Sequence, residues 1–206
     1  MPCPHKFLDD LNLDRLDFEP ETLIVGTFNP AWPANNQAEW FYGRTGNYFW
    51  DVLPSIYGEP GLRNIPMHEK PQSWKNFCSR NKVGITDLIR CINDANENDH
   101  ELLIGNYRDD IIAANFHDFE FTDIIGLLQR FPTIKNVYLT TQANIPLFND
   151  LWSTIEEYCD NHEQDYNCRR LLTPSAGARF QMKNYVPQNV VIQPMLANFI
   201  YERWLI

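Results

Sequence analysis

TLIVGTFNPAWPANNQAEWFYGRTGNYFW, residues Thr22 to Trp50, holds an apolar strand, a polar turn and an aromatic-rich approach to a helix in one stretch. Thr22-Leu23-Ile24-Val25 is short and mostly β-branched, the pattern of a strand covered on both faces, and Gly26 marks where the backbone bends. In an open parallel sheet, ligands bind in the crevice beyond the carboxyl ends of the strands. Asn29, just past this strand and stiffened by Pro30, is therefore placed for chemistry, although an Asn-Pro pair alone is an ordinary turn initiator.

Outward from this stretch, strand and helix patterns alternate. Asn47 to Ile56 predicts a helix, with Phe49, Val52, Leu53 and Ile56 at helical spacing and Pro54 ending or kinking it. Gln72 to Arg80 predicts a second, with Trp74, Phe77 and Cys78 on one side, leading into Val83-Gly84-Ile85-Thr86-Asp87-Leu88-Ile89. Asp94 to His100 reads as a polar loop, Leu102 to Ala114 as mixed helix or loop, and Phe121 to Phe131 as an amphipathic helix closed by Pro132. Asn136 to Thr141 is a buried strand. Asn144 to Tyr158 is a helix whose stripe of Ile145, Phe148, Leu151, Trp152 and Ile155 belongs to the core. A short apolar strand, Arg170 to Leu172, then ends in Thr-Pro-Ser, and Tyr185 to Ile206 offers Val190, Val191, Ile192, Leu196, Phe199, Ile200 and Trp204 to the core as a last strand or helix. Residues 1 to 21 read as a lead-in anchored by Phe7, Leu8, Leu11 and Leu16, without evident chemistry. The alternation predicts one domain over residues 1–206, a three-layer α/β/α architecture around a central, mainly parallel four-stranded sheet.

Composition narrows the class. A chain of 206 residues with 44% hydrophobic content can bury one sizeable core. The absence of an 18-residue apolar run and of a basic-then-apolar leader leads to the expectation of a soluble, cytoplasmic protein, nucleoid-associated if bacterial, with no membrane partner; a monomer is expected. Five cysteines without a C-x-x-C pair point to reduced thiols. Cys159, His162 and Cys168 match no standard metal spacing, so no metal is expected. The net charge of −10 counts against a nucleic-acid partner unless the basic residues share a face. Lys70, Lys75, Arg80 and Lys82 form one basic group and Arg169, Arg170, Arg179 and Lys183 another, while acids gather in Asp9 to Glu21, Asp94 to Glu101 and Asp150 to Asp165. Phosphate-binding and Rossmann glycine loops, a G-x-S-x-G elbow and an H-E-x-x-H helix are all missing from the sequence.

Gly26-Thr27-Phe28-Asn29-Pro30, followed by Tyr42 and by Gly46-Asn47-Tyr48-Phe49-Trp50, resembles the first motif of the uracil-DNA glycosylase superfamily. Its mismatch-specific uracil and thymine members show a G-x-N-P turn and a G-N-x-F-W-like helix start; here one more residue separates Gly from Asn. The resemblance implies that Asn29 orients the attacking water through its amide oxygen and that Tyr42 stacks on a flipped base, with Phe28 and Phe41 in the base-binding set and Trp40 beside them. Gly84-Ile85-Thr86-Asp87 resembles the family's G-I-T-x stretch, which implies that Asp87 lies near that base; as a carboxylate it would favour an edge presenting N–H groups. Locally, Thr86 or Asp87 could equally cap the turn that follows. Thr173-Pro174-Ser175-Ala176-Gly177-Ala178-Arg179 resembles the second motif, a minor-groove loop, implying DNA contacts from Thr173, Pro174 and Gly177, a phosphate contact from Ser175 and a space-filling role for Arg179, since Gly177 stands where some relatives carry a leucine wedge. The hypoxanthine branch is similar too, and there the later asparagine, Asn47, is implicated, so both asparagines are catalytic candidates.

The resemblance implies a monofunctional DNA N-glycosylase of base excision repair. It would act on duplex DNA containing uracil, hypoxanthine or xanthine and need no cofactor, because flipping exposes the glycosidic bond and cleavage asks for a placed water and charge stabilisation. A non-catalytic DNA-binding or interaction protein with the same fold, and a small-molecule nucleoside N-glycosidase, are the alternatives.

Overall fold

The computed structural model describes residues 1–32, 38–104, 108–162 and 166–205. Residues 33–37 of the opening stretch, 105–107 of the expected mixed segment and 163–165 of the third acidic group lie outside them. In chain order the elements are β1 (Cys3–Pro4), β2 (Thr22–Gly26), α1 (Phe49–Ile56), α2 (Lys70–Asn81), β3 (Val83–Asp87), β4 (Ile89–Ile92), α3 (His100–Ile104), α4 (Asp109–Asn115), β5 (Phe119–Phe121), α5 (Ile124–Arg130), β6 (Asn136–Leu139), α6 (Pro146–Asn161), β7 (Asn167–Arg170) and α7 (Met195–Trp204). They fall into two compact units, neither continuous in sequence: Met1–Asn36, Lys82–Leu139 and Ala143–Arg169 form the first, Gln37–Asn81, Thr140–Gln142 and Arg170–Ile206 the second.

The first unit carries the expected four-stranded sheet, in the order β3-β2-β6-β7, with β2 parallel to both β3 and β6. Every residue of β2 and β3 is buried, which explains why their sequences run apolar or small instead of alternating. Leu23 and Val25 of β2 and Val137 and Leu139 of β6 share one core with Ile124, Leu127 and Leu128 of α5 and Phe148, Trp152 and Ile155 of α6. Pro146 opens α6, where a missing N–H costs nothing, and Asp123 caps α5 by accepting from the Gly126 N–H at 2.8 Å. In register, Gly26 lies opposite Asp87, so the ends of β2 and β3 are level.

A second, three-stranded sheet, β1-β4-β5, was not expected from the sequence. Cys3 and Pro4 pair antiparallel with Ile92 and Cys91, and Phe119–Phe121 pairs with β4, so the helix predicted from Phe121 starts at Ile124. Strands this short carry no periodicity, and β1 finds its partner only through contacts far along the chain. The lead-in is therefore structural: Leu11 is fully buried and its carbonyl accepts from the Thr86 hydroxyl, whereas Leu8 is exposed.

In the second unit, Trp50 and Trp74 stack at 5.0 Å, and Phe49 packs edge-on to Trp204. Pro54 neither ends nor breaks α1. It cannot donate to the Trp50 carbonyl a turn earlier, and the Leu62 N–H fills that acceptor at 2.6 Å. Two expectations are corrected here. The strand before Thr-Pro-Ser is Asn167–Arg170, and Leu171 and Leu172 follow it as buried loop residues, the Leu172 carbonyl accepting from the Trp204 indole at 2.8 Å. Val190 and Val191 are each 52% exposed, so the core receives Phe199, Ile200 and Trp204 of α7 without them. The cause is polar: fully buried Asn198 accepts from the Val191 and Ile192 N–H groups and donates to the Asn189 carbonyl, which fixes this segment as a loop.

Candidate active site

The level ends of β2 and β3 bring Asn29 back onto Asp87. The Asn29 Nδ2 lies 2.9 Å from Asp87 Oδ2, and the same oxygen is 2.8 Å from His5 Nε2. An ionised carboxylate only accepts, so both neighbours must donate. That requirement orients the Asn29 amide, with its nitrogen toward Asp87 and its oxygen at the other end. It also defines the imidazole: the Phe7 N–H donates to His5 Nδ1 at 3.0 Å, so the ring proton sits on Nε2. Asp87 is 1% exposed and His5 2%, whereas Asn29 is half-buried.

Main-chain bonds hold the two partners in place. His5 N–H donates to the Arg90 carbonyl, Lys6 N–H to the Asn29 carbonyl and Ala31 N–H to the Pro4 carbonyl, so the lead-in runs beside the Asn29-Pro30 turn. The Thr122 hydroxyl donates to the Asp87 carbonyl at 2.6 Å, and Leu88 and Ile89 donate to Gly26 and Thr27. Phe28 is buried in the core, edge-on to the His5 ring at 5.8 Å. Asp87 is therefore neither a turn cap nor an exposed reader of a base edge; its carboxylate is directed inward, and burial explains why. Sequence reading missed His5 altogether, because a lone histidine 82 residues from its acid leaves no local signal.

The second unit carries the other candidates. The Asn47 Oδ1 accepts from the Phe49 N–H at 2.9 Å and so caps the start of α1. Asn47 and Ser175 form an isolated antiparallel bridge, with Tyr48 N–H donating to the Pro174 carbonyl and Ala176 N–H to the Gly46 carbonyl. Two of the three predicted loops are thereby joined through their main chains. Ser175 Oγ accepts from the Gly177 N–H at 3.2 Å and lies 3.1 Å from the Thr173 hydroxyl. Tyr42 stacks on Phe49 at 3.9 Å and 7°, and its hydroxyl meets Thr140 at 2.8 Å. It adopts φ 58°, a left-handed conformation that a tyrosine holds only when its surroundings impose it. Phe41 is corrected: it is fully enclosed in the packing, its carbonyl accepting from the Trp50 indole, and presents no surface to a ligand.

A residue overlooked in the sequence stands beside the second-motif loop. A 3-10 helix over Ala176–Gln181 follows Ser175; Arg179 is exposed on it, with its guanidinium 5.0 Å from the Phe180 ring, and Phe180 is itself 79% exposed. The basic groups are largely committed locally. Arg80 pairs with Glu59 at 2.6 Å and Lys82 with Glu21 at 2.5 Å, while Lys75 lies over Trp40 and Arg169 over Tyr138. Among the described residues, no group of three or more His, Cys, Asp or Glu side chains is arranged to hold a metal ion. No described helix is long and apolar enough to cross a membrane.

The four-stranded parallel sheet with flanking helices is shared with the solution structure of a candidate uracil DNA glycosylase from Methanosarcina acetivorans, at a TM-score of 0.52 and 16% identity over 92% of each chain. At that identity the likeness defines the fold. No protein-family model and no curated protein matches the chain.

Proposed function

We propose that this chain is a monofunctional DNA glycosylase that hydrolyses the N-glycosidic bond of a flipped, deaminated base in duplex DNA, uracil first and hypoxanthine or xanthine second. The observation that carries the reading is the Asn29 amide, held through its nitrogen 2.9 Å from the buried Asp87 carboxylate, an orientation that gives its oxygen the task of positioning a water. Asn47 is the weaker candidate for that task because its amide oxygen already caps α1. Asp87 and His5 act as positioning residues, and Tyr42, its plane fixed by Phe49 and Thr140, is the platform for the base. Water attack at C1′ then needs no strong nucleophile, since the bond breaks largely before the new one forms. Ser175 serves as the phosphate contact. Where Gly177 provides no wedge, exposed Phe180, braced by Arg179, is an apolar side chain of the kind that enters the space a flipped nucleotide leaves.

A duplex oligonucleotide with a single uracil tests the reading. Wild type should generate alkali-labile sites, and Asn29→Ala should slow their formation about a hundredfold or more. Free nucleoside turnover without oligonucleotide cleavage would instead favour a small-molecule N-glycosidase, a reading to which the local pairing of Arg80 and Lys82 with acids lends weight. Tight duplex binding with no cleavage by wild type would identify a non-catalytic binding protein.

A further inference from the structure

We propose that Cys159 of α6 and Cys168 of β7 are a redox-active pair, which hydrogen peroxide closes into a reversible disulfide. Both belong to the first unit, where α6 ends at Asn161 and the chain returns to enter β7 at Asn167. That return brings the two thiols into hydrogen-bond contact, the Cys168 S–H donating to the Cys159 sulfur. Ring packing clasps the return: Tyr158 of α6 and Tyr166 before β7 both lie against His162, at 5.1 and 5.7 Å between centres. Cys159 is 4% exposed inside the core, while Cys168 is half-buried against its edge, which gives a small oxidant a way to the pair.

The other three cysteines sit where the thiol keeps its proton. Burial pushes Cys78 far up and Cys3 up to about 11, and burial together with the nearby Glu120 and Asp118 carboxylates raises Cys91. Cys159 moves the other way: the hydrogen bond from Cys168 lowers it, against burial and the Asp160 and Glu156 carboxylates. The shared proton stays on Cys168, which the same bond raises. Peroxide is attacked by a thiolate, so Cys159 is the nucleophile and Cys168 the resolving thiol.

The Cys159 thiolate attacks one peroxide oxygen and the O–O bond breaks. The departing hydroxide takes up the proton that Cys159 had lost, leaving a sulfenic acid and one water. The Cys168 sulfur then displaces the hydroxyl from Cys159; the S–S bond forms as the S–O bond breaks, and the Cys168 proton leaves with the hydroxyl as a second water. Two thiols are oxidised to one disulfide and one peroxide is reduced to two waters, and a dithiol reductant reverses the bridge. In a reducing compartment such a bridge is a transient sensor rather than a permanent staple.

The full chain, reduced and freed of reductant, is treated with increasing hydrogen peroxide, alkylated, and digested without reduction for mass mapping. Wild type should first lose one pair of its five free thiols, yield a peptide joining Cys159 to Cys168, and regain both thiols with dithiothreitol. Cys168→Ser, which keeps a hydroxyl donor beside Cys159, should accumulate a Cys159 sulfenic acid that dimedone traps about tenfold faster than any at Cys91. Cys159→Ser should show no comparable trapping at Cys168. No early loss of thiols, a bridge to any other cysteine, a bridge only between chains, or over-oxidation of Cys159 before cross-linking overturns the proposal. So does trapping of Cys91 as fast as Cys159 in a variant that circular dichroism shows folded. None of these readouts involves base excision, so failure of the glycosylase reading leaves them standing.

Discussion

The Asn29 turn and the Asn47–Ser175 loops are built on opposite plans. At Asn29, side chains from segments far apart in sequence share one buried carboxylate, and the asparagine is oriented from outside its own loop. At Asn47 and Ser175, the main chains hold each other, and each polar side chain serves its own turn: Asn47 bonds Phe49, and Ser175 bonds Gly177. Orientation imposed from outside fixes the Asn29 amide independently of its own loop, whereas the Asn47 amide oxygen is held by the backbone it caps. Two asparagines that look equivalent in the sequence are thereby separated.

The largest expected effect comes from removing the shared acceptor. Asp87→Ala strands the buried His5 donor and releases Asn29, and should cost about 3 kcal/mol in stability. Asn47→Ala loses only a turn cap and should cost about 1 kcal/mol. Urea unfolding of both variants would show whether the difference exists; equal costs would erase the contrast between the regions. The same carboxylate also sharpens the functional side. Asp87→Asn can keep an oxygen between His5 and Asn29, so it should slow excision while leaving the ratio of uracil to hypoxanthine cleavage unchanged. A shifted ratio would mean that Asp87 reads the base after all.

His5 ranks next. His5→Ala should reduce kcat about tenfold with little change in KM, and His5→Gln, which restores a donor, should recover much of the loss. A variant that merely unfolds would not be rescued in this selective way. In the second unit, Phe180→Ala should impair excision from duplex by about tenfold and from single strands much less, because only the duplex requires a vacated space to be filled. Equal impairment on both substrates would return Phe180 to a surface role.

The smallest effect is electrostatic. Burial pushes the Asp51 carboxyl above the ordinary carboxylate range, and Arg63 only partly offsets this. The native state then holds its proton more tightly than the unfolded chain, so this group's contribution to stability falls as pH rises from about 4 through the raised value. Asp51→Asn should remove that fall; thermal midpoints of wild type and variant measured across mildly acidic pH would display it, and parallel curves would refute it.

Much of the fold was legible because its signals are local. The apolar run Thr22–Val25, the stripe of Phe148, Trp152 and Ile155, and Pro146 at the start of α6 each depend on near neighbours and survive in the structure at nearly the expected bounds. The Val190-Val191 pair misled for the converse reason: it looks like a strand, yet Asn198 claims its backbone N–H groups and leaves it half exposed. Phe41 and Tyr42 are adjacent aromatics that sequence treats alike, and packing buries one while setting the other at φ 58° against Phe49.

The sequence alone determined the central strands, the main helices and the chain order of the motif-bearing loops, because periodicity, turn residues and motif order are written within a few residues of each other. Only the tertiary structure decided that His5 joins Asp87, that Asp87 faces inward and that the Asn29 oxygen is the end turned away from it. Hydrogen bonds between side chains depend on distance and direction in space, and separations of 82 and 58 residues along the chain leave neither visible until the strands are in register.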